Sequence, residues 1–235
     1  MRKILICFIL IATARAAWAV EFGSVVRQCN SPVYDQKLMR ACGMLATQAQ
    51  LDPVNRAAAY DLRARAYLAL GQFDYAILDT TQALELVEKP RDPGTRGTSQ
   101  FLLRTHALAI RSAAFAKAGQ ADKALADRTT VLAQLSEMVE RYSSAEGYTE
   151  MAFVKHVLGE DAEALEAAEK AVAWGPIDPG ALSIRAEIHE ALGHKDAAIE
   201  DYRASLKYGM LEDSTGASKG IQTARVGLAR LGAKP

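Results

Sequence analysis

What this sequence lacks excludes several functions before any motif is found. It has no run of about 20 apolar residues, the length a membrane-spanning helix needs. Its longest candidate, Ile4 to Ala12, covers nine residues, and Arg15 interrupts any extension. It has no excess of either charge: 28 Lys and Arg face 28 Asp and Glu. That balance removes the basic surplus on which nucleic-acid binding depends. It also has no HExxH, no Walker-type glycine loop and no Cys–His pairing at motif spacing. The expectation is a chain that is not an enzyme and carries no cofactor and no metal. Histidine is sparse. His189 and His194 are five apart, which does not place them on one helix face as ligands four apart would be. The acidic group Glu160, Asp161, Glu163 and Glu166 sits where a helix begins, and carboxylates there offset the helix dipole.

Cysteine is scarce too, with only Cys7, Cys29 and Cys42. The first belongs to a segment with the features of an export signal. Arg2 and Lys3 precede the short apolar run, and Ala17-Trp18-Ala19 has the small-x-small form of a cleavage site. Cleavage after Ala19 is expected, giving a periplasmic or secreted protein with no stable membrane insertion. The remaining chain would carry 25 basic and 28 acidic residues. Cys29 and Cys42 are then an even pair in an oxidising compartment. Thirteen residues of one helix would hold them roughly 20 Å apart, so a turn must intervene, and Ser31-Pro32 supplies one. A disulfide is the expectation. Two free thiols or a metal pair are the alternatives, and two cysteines without a nearby histidine make a poor metal site.

Against these absences stands one strong positive signal. Gly159 and Gly193 lie 34 residues apart, and their surroundings align. Seven before each glycine stand Ala152 and Ala186. Five after stand Ala164 and Ala198, and twelve after stand Ala171 and Ser205. The same frame on Gly71 holds Ala64, Ala76 and Ala83; on Gly119 it holds Ser112, Ala124 and Val131. Each glycine separates two helix-length amphipathic segments, so the unit is a helix–turn–helix of about 34 residues. Small side chains let the paired helices approach closely, and glycine ends the first at low steric cost.

At this point the chain resembles the tetratricopeptide-repeat family over roughly residues 57–210. Tyr67 and Phe115 match that family's aromatic four before the glycine, whereas Lys155 and His189 do not; Pro176 matches its terminating proline. The resemblance implies an all-α, right-handed α-solenoid. The expected organisation is a signal peptide over 1–19 and an N-terminal segment over 20–56 with a half repeat. Repeats follow at 57–90, 105–138, 145–178 and 179–210, and a capping helix covers 211–235. Residues 35–49 read as one helix, and the turn-rich stretch 88–97 breaks the period as an exposed loop. Ile221, Ala224, Leu228 and Leu231 keep one apolar face for the cap that such arrays need. Lys219, Arg225, Arg230 and Lys234 read as its solvated outer face, with a dock for an anionic partner as the alternative.

Two patterns within the repeats carry specific expectations. Eight before the glycine stand Arg63, Arg111 and Arg185, and eight after stand Asp79, Asp127 and Asp201. In the third repeat both are replaced together, by Met151 and Ala167. Paired loss points to an inter-helix ion pair of the two-pronged guanidinium–carboxylate kind. The second pattern concerns positions ten, six and three before the glycine, which share one face of the first helix. In the resembled family that face looks into the concavity, which holds a peptide or protein segment. Here Arg65, Phe153, His156, Glu187 and Glu190 stand out as partner-binding candidates, an aromatic anchor ringed by mixed charge. They suggest a basic-containing segment meeting Glu187 and Glu190. The family's clamp for a terminal carboxylate uses Lys and Asn; the only asparagines, Asn30 and Asn55, precede the first repeat, so that specificity is not expected. Two other function classes stay open. One is a structural or self-associating envelope component joined through its ends or the 88–97 loop. The other is a binder or enzyme whose site has no motif.

Overall fold

The computed structural model describes residues 22–88, 98–141, 143–212 and 219–235. The expected signal segment and all but the first residue of the 88–97 stretch lie outside them. Every regular element within them is helical. After a helical segment over 22–29, here α1, come α2 (Gln36–Thr47), α3 (Pro53–Ala69), α4 (Phe73–Glu88), α5 (Thr98–Lys117) and α6 (Ala121–Arg141). Then follow α7 (Ala145–Val157), α8 (Asp161–Trp174), α9 (Pro179–Ala191), α10 (Lys195–Glu212) and α11 (Lys219–Arg230). Helix starts carry their chemical reasons. Asp35, Asp52, Ser144 and Asp178 each accept a backbone N–H of the first turn, and Pro53 and Pro179 open α3 and α9, where a missing N–H costs nothing. Among the described residues no helix is long and apolar enough to cross a membrane.

The hairpins turn at the four repeat glycines, whose φ angles run from +73° to +80°. An added Cβ at Gly119, Gly159 or Gly193 would meet nothing, so conformation, not space, demands glycine there. The residue after each glycine donates its N–H to the carbonyl four residues before the glycine, closing the helix in a Schellman arrangement. All twelve small residues of the repeated frame are buried, at 7% exposure or less. Those side chains set the close approach of the two helices in each hairpin, and bulkier replacements there would cost roughly 1–3 kcal/mol.

The expected ion pairs lock the same hairpins. Arg63, Arg111 and Arg185 grip Asp79, Asp127 and Asp201 respectively, each through two bonds of 2.6 to 2.9 Å. In the third repeat Met151 packs against the cluster holding Ala167, an apolar solution at the same place. The inner helices α3, α5, α7, α9 and α11 then pack side by side, and the partner helices stand behind them. This is an α-solenoid of stacked helical hairpins. Its far end is covered by α11, whose Ile221, Ala224 and Leu228 join Ala186, Ala198, Tyr202 and Leu206 in one apolar cluster. Gly227 lets the cap sit down on the Tyr202 ring, because a Cβ there would come within 2.3 Å of it.

Candidate ligand groove

The inner helices enclose a concavity of about 500 Å³. All five candidate residues line it: Arg65 from α3, Phe153 and His156 from α7, Glu187 and Glu190 from α9. Its apolar wall comes from Leu68, Ala69, Ile110, Val157 and Ala191. Ala69, Val157 and Ala191 each stand two before a repeat glycine, so that position faces the groove as well. The structure adds two lining residues that helical periodicity within the repeats misses, Tyr34 and Arg230.

Arg65 organises the floor. It binds Asp61 at 2.9 Å, and its guanidinium lies 4.4 Å from the Phe153 ring centroid. It also donates to His106 Nδ1, leaving Nε2–H to donate to Glu150 at 3.0 Å. Thr105 donates to the other Glu150 oxygen at 2.8 Å. His106 in turn stacks obliquely on Phe153, with ring centroids 4.6 Å apart. Phe153 is therefore held between a guanidinium and an imidazole rather than standing free as an anchor. Burial alone would raise the Asp61 carboxyl; the Arg65 charge and the nearby His106 outweigh it and hold Asp61 at about 2. Asp61 stays charged, and with Arg65 it ties α3 through His106 to α5 and α7.

The remaining candidates divide sharply. Glu190 is committed: Arg230 of the cap grips it with Nε and Nη2 at 2.5 and 2.7 Å, and Tyr202 donates its hydroxyl at 3.1 Å. The Arg230 hydrogen bond lowers its pKa. His156 is committed to Asp161, 2.5 Å away. Glu187 is different. Among the described residues no hydrogen bond or ion pair engages it. Burial raises its carboxyl pKa, against the nearby charges of His156, Lys219, Arg230 and Arg65. Lys219 keeps an exposed side chain, yet the Arg65 charge helps draw it down to about 8. The cap residues are thus not a uniformly solvated outer face. Arg230 reaches into the groove and Lys219 shares its field.

Tyr34 arrives by a different route. Cys29 and Cys42 are joined, with sulfurs 2.03 Å and Cα atoms 4.8 Å apart, and the turn between them projects Tyr34 to the groove. Asp35 caps α2 immediately afterwards through the Leu38 N–H at 2.9 Å. The acidic start of α8 is also less free than its sequence suggests, since Glu160 binds Arg128 at 2.7 Å and Lys155 at 3.3 Å. Among the described residues no three His, Cys, Asp or Glu side chains are assembled to hold a metal.

No family model matches the chain, and no curated protein matches it. Among solved structures it is similar to TTC0263, a thermophilic TPR protein of Thermus thermophilus, at 20% identity and a TM-score of 0.40. That likeness covers 84% of this chain and 90% of the other. It is also similar to the TPR2AB domain of yeast Sti1 in a pHSP90 complex, at 14% identity and a TM-score of 0.37. There 82% of this chain and 91% of the other are covered.

Proposed function

We propose that this protein is an exported interaction scaffold that holds a peptide or protein segment in its concave groove. The observation that carries the reading is the groove's division of labour. Its apolar wall offers contact area, its other charged candidates are already paired within the fold, and among the five candidates Glu187 is the charge left for a ligand. A half-buried carboxylate with no hydrogen-bond or ion-pair partner among the described residues favours a cation delivered with apolar surface, so the segment carries a basic side chain flanked by apolar ones. Glu190 drops out of that contact because Arg230 occupies it. The Ala17-Trp18-Ala19 cleavage pattern and the Cys29–Cys42 pairing support a location outside the cytoplasm. We read the protein as non-catalytic.

The test is crosslinking in live cells followed by identification of the captured partner, compared between the natural protein and Glu187→Lys. Reversal of the uncommitted charge is expected to reduce capture at least tenfold while the helical circular-dichroism signal is unchanged. Phe153→Ala is a poorer probe, because it also removes the packing of Arg65 and His106. Undiminished capture by Glu187→Lys moves the binding surface out of the groove.

A further inference from the structure

The turn of each hairpin brings two side chains together that helix periodicity keeps apart. The residue after the glycine bonds its N–H to the carbonyl four before it: Gln72 to Tyr67, Gln120 to Phe115, Glu160 to Lys155 and His194 to His189, at 2.8 to 2.9 Å. In the third repeat the two side chains are Lys155 and Glu160, and they form an ion pair at 3.3 Å. In the fourth they are His189 and His194, with Nδ1 atoms 3.3 Å apart and rings tilted by 52°. Contact between these positions is therefore a property of the turn, and the fourth repeat fills it with two imidazoles.

Two nitrogens bound to one tetrahedral zinc ion at about 2.05 Å stand about 3.3 Å apart; at a right angle between the bonds they stand about 2.9 Å apart. We propose that His189 and His194 form an open two-nitrogen site for a borderline divalent transition-metal ion, with Zn²⁺ the geometric match. The backbone under both rings is fixed. His189 lies in the last turn of α9, and His194 accepts the first α10 hydrogen bond, from the Ala198 N–H at 3.0 Å. Behind His189, its Nε2 faces Asp201 Oδ2 at 3.9 Å, and Arg185 holds that carboxylate with two bonds. At that distance the carboxylate is beyond hydrogen-bond reach and acts on the ring through its charge alone. His194 is exposed, which leaves an entry path and open positions for water or a further ligand.

The test is calorimetric titration of untagged protein with zinc chloride in a non-coordinating buffer. Binding of one equivalent in the micromolar range is expected. The double substitution His189→Tyr, His194→Gln installs the pair found at the same positions of the first repeat, so the turn keeps a natural solution. It is expected to weaken zinc binding roughly tenfold or more, with the circular-dichroism spectrum unchanged, whereas His156→Gln is expected to leave binding intact. Absence of zinc uptake at millimolar concentration would show that the rings share only a hydrogen bond and would overturn the site. So would uptake that survives the double substitution, or uptake abolished by His156→Gln.

Discussion

At the scale of single residues the repeats answer one packing problem in two ways. The first, second and fourth hairpins hold an Arg–Asp pair, and the third packs a half-buried Met151 against the cluster of Ala167. The carboxylates are well buried, Asp201 at 5% exposure, while the guanidiniums are partly open. Removing one partner strands the other, whereas removing both in favour of apolar groups need cost little. Arg185→Ala is therefore expected to destabilise by about 3 kcal/mol. Arg185→Met combined with Asp201→Ala, the third repeat's own arrangement, is expected to recover most of that loss. Urea unfolding of the three proteins measures the difference, and a double variant no better than the single one would show that the charges contribute more than mutual neutralisation.

At the scale of elements, two glycines are needed for opposite reasons. Gly119 holds φ at +76° in open space, so Gly119→Ala incurs only the left-handed backbone penalty, about 1–2 kcal/mol. Gly227 sits inside α11 with ordinary helical geometry, but a Cβ there would strike the Tyr202 ring. Gly227→Ala removes a helix-disfavouring residue, which by itself stabilises an isolated helix by about 1 kcal/mol. Overpacking in a filled core outweighs that gain. The expected order of melting temperatures is natural protein, then Gly119→Ala, then Gly227→Ala. A stabilised Gly227→Ala would mean that α11 is not seated on Tyr202.

At the scale of the whole molecule, α11 has two duties. It covers the apolar end of the array, and through Arg230 it holds Glu190 at the groove rim. Ending the chain at Glu212 exposes Tyr202 and Leu206 and releases Glu190 together. The truncated protein is expected to self-associate, read as a concentration-dependent mass by light scattering after size exclusion. A stable truncated monomer would show that the fourth repeat closes its own end.

The repeat and its internal bonds are legible in the chain alone. The glycine frame, the buried small residues and the Arg–Asp pairs all follow from helix period and a short reversal. The partners lie 16 residues apart within one hairpin, so their joint loss at Met151 and Ala167 is readable from the chain alone. The inner face was legible for the same reason, because the spacing that puts Arg65, Phe153 and Glu187 at equivalent positions is local. Which of those side chains remain available is set by contacts between hairpins. Arg230 takes Glu190 from 40 residues away, and His106 reaches Glu150 across 44. Tyr34 enters through a turn outside the repeat frame. Even the meeting of His189 and His194 depends on a chain reversal that helix periodicity cannot express. Charge pairing is settled by distance in space, and in a solenoid that distance is set by how successive hairpins stack.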